Sequence, residues 1–236
     1  MGKNVIVTGH ASGIGLYVAR KFHNSGFNVM GLDKDRVFEL DKSIMQIQCD
    51  LSDWDEVEDV FGHIEKVDYA VNCAGVSGTR KSVSDITSEE VVSSYRAIFL
   101  PALHACKAEI NCMQKNDGIS KIVNIASSTA FVGGRSMLAY SSAKAAIVNL
   151  TKVCAVEYAP KILINSVSPA TIDTPMIRTK YSGTLPDYRE AYLTGNCGTV
   201  NDIWAAVKFL IENNFMTGSD LVMDGGYSSS FSLQLK

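Results

Sequence analysis

Tyr140 and Lys144 lie four residues apart in the segment AYSSAKAAI, and Ser127 stands thirteen residues before Tyr140. These residue types offer a proton donor, a cation and a hydroxyl able to bind a carbonyl oxygen, a combination suited to redox chemistry at a C–O bond. A phenol with an ordinary pKa of about 10 is a poor base at neutral pH. A neighbouring ammonium favours the phenolate, so Lys144 is expected to bring Tyr140 toward the working range. A Tyr and a Lys at this spacing also occur together on helix surfaces, and the assignment therefore needs a second signal.

That signal is the opening stretch KNVIVTGHASGIG. Val5, Ile6 and Val7 read as a buried strand, and Gly9, Gly13 and Gly15 punctuate the turn into a helix. Glycines there permit close backbone approach, and the free N–H groups of the helix amino end suit a pyrophosphate. The turn leads through the helical stretch Leu16 to Gly26 into a second strand, Asn28 to Asp33. Asp33 ends that strand, where a carboxylate can accept hydrogen bonds from the ribose hydroxyls of an adenosine. The same carboxylate repels a 2′-phosphate, so NAD is expected over NADP, with Lys34 as the feature favouring the opposite choice. His10, inside the turn, reads either as a residue approaching the phosphate or as a solvent-facing turn residue, and the second is expected.

The elements that must position these groups follow from pattern. Leu138 to Tyr158 is Ala-rich with apolar residues at helical spacing, which predicts a helix carrying Tyr140 and Lys144 one turn apart on one face. Ser127 follows the apolar run Lys121 to Ala126, a buried strand whose carboxyl end is where open α/β sheets bind ligands. Further Val/Ile/Leu-rich runs at Ile44 to Gln48, Val67 to Asn72, Ile162 to Ser168 and Asp220 to Met223 alternate with helical stretches. The pattern predicts a doubly wound α/β Rossmann-type fold, with a seven-stranded parallel sheet and helices on both faces. Thr174 to Cys197 has mixed polarity with turn residues at Gly183 and Pro186, and reads either as a mobile cover over the site or as a packed pair of surface helices.

With these motifs in place, the sequence resembles the short-chain dehydrogenase/reductase family over nearly its whole length. Thr8-Gly9 through Gly13-Ile14-Gly15 is similar to the family's TGxxxGxG turn, and Asp50-Leu51 to its adenine-contacting acidic-apolar pair. Asn72-Cys73-Ala74-Gly75 resembles its NNAG motif, with Cys73 in place of the second Asn. Ser127, Tyr140 and Lys144 match its catalytic Ser, Tyr and Lys, and Pro169-Ala170 with Thr174 resembles its PGxxxT segment, with Ala170 where Gly is usual. Asp224-Gly225-Gly226 resembles its closing turn.

The resemblance implies cofactor contacts from Gly9, Ser12, Gly13, Ile14 and Gly15, from Asp33, Asp50 and Leu51, and from Asn72, Ala74 and Gly75. It implies further ones from Tyr140 and Lys144 and from Pro169, Ala170, Ile172 and Thr174, with Lys144 on the nicotinamide ribose. Aligning Ser93 to Leu100 on Phe99 puts Ser94 where the family has an Asn that holds a water in a proton relay. A Ser hydroxyl is shorter and makes fewer bonds than an amide. The implied activity is hydride transfer between NAD(H) and a small-molecule secondary alcohol or ketone, with Tyr140 as general acid/base. Two other readings are a non-catalytic dinucleotide sensor or scaffold, favoured by Ser94, Ala170 and Cys73, and a nucleotide-sugar-modifying relative, for which too few residues follow Lys144. A homodimer or homotetramer is implied, built on the helices around Ser88 to Cys112 and Leu138 to Tyr158 and on the tail Tyr227 to Lys236.

Composition agrees. At 236 residues, 46% hydrophobic and 20% charged, residues 1–236 are expected to form one dinucleotide-binding and catalytic domain. No long uncharged apolar stretch or leader segment is read, so a cytoplasmic protein without membrane association is expected. A net charge of −3 argues against a nucleic-acid partner. The six cysteines and four histidines show no metal-ligand spacing and no disulfide framework, so no metal is expected. Thr129, Phe131, Arg135, Met137, Met176 and Tyr181 are the candidate substrate-pocket residues.

Overall fold

The computed structural model describes residues 2–37 and 42–229. Strands β1 (Asn4–Thr8), β2 (Asn28–Asp33), β3 (Met45–Gln48), β4 (Tyr69–Asn72), β5 (Ser120–Ile125), β6 (Ile162–Pro169) and β7 (Asp220–Met223) form one parallel sheet in the order β3-β2-β1-β4-β5-β6-β7. Both faces of the central strands are covered, and Val5, Ile6 and Val7 of β1 are wholly buried. Helices α1 (Gly13–Asn24) and α6 (Val200–Glu212) pack on one face, and α2 (Trp54–Gly62), α3 (Ser88–Met113) and α4 (Leu138–Tyr158) on the other. The expected doubly wound fold is therefore present.

Strand order reverses between β1 and β4, whose ends pair Thr8 with Asn72. At such a switch point the loops leaving the two strands diverge to opposite faces and leave a crevice. Helix starts are fixed locally. Asp53 accepts the Asp55 amide at the start of α2, and capping boxes Thr87/Glu90 and Thr199/Asp202 close α3 and α6. Helix α1 differs: no side chain caps it at Ser12, and its first turn carries no acidic residue.

Beyond β6 the chain makes a short helix, α5 (Pro175–Lys180), and then runs irregularly to Thr199. Thr174 to Cys197 is thus a loop with one short helix rather than a pair of packed helices. It is pinned at Tyr192, which is buried and donates its hydroxyl to Thr171 Oγ1 at 2.8 Å. Of the tail assigned to assembly, Tyr227–Ser229 form a short 3-10 helix and residues 230–236 lie outside the described residues. Among the described residues no helix is long and apolar enough to cross a membrane, and no cluster of His, Cys, Asp or Glu could hold a metal.

Candidate active site

A cleft of about 670 Å³ opens at the switch point, over the carboxyl ends of the strands. Its floor at β1 is the glycine turn. A Cβ on Gly9 would lie 2.7 Å from the Ala74 amide nitrogen, and one on Gly15 only 2.1 Å from the Gly9 carbonyl oxygen, so both positions exclude a side chain. The uncapped amino end of α1 faces this cleft through Ser12, Gly13, Ile14 and Gly15. Its free N–H groups and positive dipole end fit an anionic pyrophosphate.

The β2 end supplies Asp33, whose Oδ2 accepts the Ala11 amide at 3.0 Å and whose Oδ1 accepts the Asp35 amide at 3.2 Å. These bonds aim the carboxylate along the cleft wall, where Lys34 and Arg36 also stand, exposed. Asp50 and Leu51 line the wall beyond, and two hydrogen bonds from Ser52, through its hydroxyl and its amide, hold the Asp50 carboxyl below the usual range. Ala74, Gly75, Pro169, Ala170, Ile172 and Thr174 complete the wall on the other side. Ala97 and Pro101 of α3 also line it. Pro101 has no N–H to return to the Ala97 carbonyl, which opens the helix ladder beside the cleft.

Asn72 is placed differently from the expectation. It lies beneath the wall, not in it, accepting Thr8 Oγ1 at 3.2 Å and donating to Glu109 Oε2 and Asn124 Oδ1, both at 3.0 Å. Its part is to tie β1, β4, β5 and α3 together under the cofactor turn. Glu109 is wholly buried, with Oε1 lacking any partner, and burial pushes its carboxyl up to about 8.

His10 is likewise buried, at 1% exposure, and does not face solvent. Its ring fills the space a Gly31 side chain would take, since a Cβ there would sit 2.4 Å from the imidazole. His10 Nε2 meets Gln46 Oε1 at 3.3 Å, and Gln46 holds the Val37 backbone through two further bonds, tying the turn to the Asp33 loop.

At the far end of the cleft α4 presents Tyr140 and Lys144 in the wall. Lys144 is buried, and its Nζ donates to the Ile125 carbonyl at 2.8 Å. Burial lowers its ammonium to about 8, partly opposed by the Cys73 thiol. Ser127, at the carboxyl end of β5, caps a short 3-10 helix, Ser128–Ala130, and its hydroxyl lies 3.0 Å from Thr129 Oγ1. Burial raises the Tyr140 phenol, opposed by hydrogen bonding from Ser127 and by the charge of Arg80.

Ser94 is buried on α3, outside the cleft wall, where its hydroxyl donates to the Glu90 carbonyl at 2.9 Å and accepts the Thr79 amide at 3.3 Å. Of the substrate-pocket candidates only Met176 lines the cleft. Thr129 bonds Ser127, Phe131 and Arg135 are exposed, Met137 covers Gly134, and Tyr181 carries the Lys180 ammonium over its ring.

Residues 9–228 match the family model described as enoyl-(acyl carrier protein) reductase. The chain belongs to the short-chain dehydrogenase/reductase family. It is 31% identical to an NAD-dependent glycerol dehydrogenase of Listeria innocua, over 96% of this chain and 94% of that one. It is 33% identical to an NADP-dependent (R)-specific alcohol dehydrogenase of Lentilactobacillus kefiri, over 97% of each. Among solved short-chain dehydrogenase/reductase structures, the ligand-free aldohexose dehydrogenase of Thermoplasma acidophilum superposes with a TM-score of 0.92 at 30% identity, covering 100% of this chain and 97% of the other.

Proposed function

We propose that residues 1–236 act as one domain that oxidises a secondary alcohol or reduces a ketone with NAD(H). The observation carrying this reading is that Tyr140 and Lys144 share the wall of a cleft whose other end is the open amino terminus of α1, with Ser127 beside the phenol. When bound, the nicotinamide supplies or accepts a hydride.

The chain's own residues do the rest. In oxidation Tyr140 takes the alcohol proton, and in reduction the phenol returns one to the nascent alkoxide oxygen. Ser127 donates a hydrogen bond to that same oxygen, where negative charge develops. Lys144 would hold the nicotinamide ribose hydroxyls, the role the family resemblance assigns to it. Asp33 receives the adenosine ribose hydroxyls and disfavours a 2′-phosphate, which supports NAD. Lys34 and Arg36 on the same wall favour NADP as the second reading, and the two relatives named above divide the same way.

The test is the appearance of reduced cofactor on incubation with a panel of secondary alcohols. Turnover is expected with NAD. Dinucleotide binding without turnover of any substrate, in either direction, would instead favour the sensor reading. A dimer or tetramer in a cytoplasmic setting completes the proposal, motivated by exposed Val92 on α3 and Val153 and Val156 on α4. Light scattering checks it, and a monomer at micromolar concentration would contradict it.

A further inference from the structure

The loop after β4 passes directly over the catalytic end of the site. At Gly78 an added Cβ would sit 3.5 Å from the Tyr140 Cβ, 3.6 Å from Ser94 Oγ and 3.2 Å from Ile98 Cδ1, so the backbone rests on α4 and α3 together. The Thr79 amide is held by Ser94 Oγ at 3.3 Å, and Lys81 is held by Glu90 at 2.6 Å. Arg80 is thus fixed between two anchored neighbours, while its own side chain is exposed.

Two acids near Arg80 in the chain, Asp85 and Glu90, are engaged elsewhere. Glu90 takes Lys81 and the Thr87 amide, and Asp85 takes the Ser82 and Ser84 hydroxyls. Among the described residues Arg80 has neither an ion-pair nor a hydrogen-bond partner. Two residues before it the Gly78 backbone rests on the Tyr140 side chain, and the Thr79 amide between them is held by Ser94, so Arg80 leaves the loop at the Tyr140 end of the site. An arginine two residues from the backbone that covers Tyr140, with no internal counter-ion among the described residues, leaves five donors in a planar fork for an incoming oxyanion.

We propose that Arg80 selects an anionic substrate, a secondary alcohol or ketone carrying a carboxylate or phosphate within a few bonds of the reacting carbon. The inference rests on the oxidoreductase reading of this same site and adds the substrate class to it. The oxyanion would take the free fork of Arg80 while the reacting oxygen meets Tyr140 and Ser127. Charge attraction by the loop after β4 would also raise the local concentration of such substrates.

The test compares matched pairs, β-hydroxybutyrate against sec-butanol and glycerol phosphate against glycerol, in wild type, Arg80→Ala and Arg80→Lys. One readout is NADH appearance, with kcat and KM separated. The other is calorimetric titration of each compound into NAD-saturated protein. The expected result is an anionic-to-neutral ratio of kcat/KM that drops about tenfold in Arg80→Ala, mostly through KM, because one charge-assisted interaction is lost, with partial recovery in Arg80→Lys. The two pairs distinguish carboxylate from phosphate.

Equal losses for charged and neutral members would overturn the role of Arg80 while leaving the dehydrogenase reading intact. Wild type that binds the anions no better than their neutral partners overturns it as well. If no compound is turned over but anion binding weakens about tenfold in Arg80→Ala, the anion site stands and the dehydrogenase reading falls.

Discussion

Lys144 Nζ, one turn after Tyr140 on α4, donates to the Ile125 carbonyl at 2.8 Å, which ties the ammonium to the end of β5. Burial lowers it from an ordinary 10.5 to about 8. For a cation whose folded pKa is depressed, the burial penalty is fully present below about pH 8 and is relieved as pH rises toward 10.5. The charge is therefore available for ribose hydroxyls at neutral pH and lost above 8. NAD affinity is expected to be level below pH 8 and to fall above it in wild type, and to be weak and level across that range in Lys144→Met. Calorimetric titration from pH 7 to 9 checks this, and parallel profiles would contradict it.

Glu109 has the opposite sign. Its folded carboxyl is raised from 4.5 to about 8 by burial, so between those values the folded chain keeps a proton that the unfolded chain releases. The stability owed to this group falls as pH rises through that window and is lowest above 8. Glu109→Gln keeps an acceptor for the Asn72 amide and cannot ionise. Its melting temperature is expected to match wild type near pH 5 and to exceed it by several degrees near pH 9. A constant difference at both values would show that Glu109 does not titrate in the fold.

Cofactor choice turns on Asp33 against Lys34 and Arg36 on one wall. NAD is expected to bind at least about tenfold more tightly than NADP, a difference of roughly 1.4 kcal/mol. Asp33→Ala removes the repulsion and leaves both cations, so the gap should narrow or reverse. Equal affinity for the two cofactors in wild type would place the cations above the carboxylate in this site.

Ser94 separates a loop clamp from a proton relay. Both hydrogen-bonding directions of its hydroxyl are engaged by Thr79 and Glu90. Ser94→Ala is expected to lower the anionic-to-neutral preference in the same direction as Arg80→Ala, since it frees the loop that holds Arg80, and to leave the solvent isotope effect on kcat unchanged. An altered isotope effect with an unchanged preference would restore the relay role.

Much of this was legible before folding because it is written in local pattern. Val5 to Val7 read as a strand since a strand buried on both faces favours a run of apolar residues, and α4 runs over Leu138–Tyr158 as its Ala-rich spacing indicates. The glycine turn reads because close backbone contact leaves no alternative residue at Gly9 or Gly15.

What escaped depends on residues distant in sequence. Glu109 sits in a helical run beside Lys107 and looks like one more surface charge, yet β4 and β5 enclose it through Asn72 and Asn124. His10 looks solvated until Gly31, across the sheet, leaves room for its ring. Arg80 gains its meaning only when the loop after β4 is laid against Tyr140, sixty positions later, and no spacing rule reports that contact.

The central claim is that Tyr140 moves the proton. The direct measurement is the single-turnover rate of NADH formation in Tyr140→Phe against wild type, with NAD affinity determined on the same preparations. If the phenol meets substrate and not the dinucleotide's binding turn, the rate falls by at least about a hundredfold while NAD affinity stays within a few-fold. A Phe variant that keeps more than about a tenth of the wild-type single-turnover rate would contradict the assignment of Tyr140 as the acid/base.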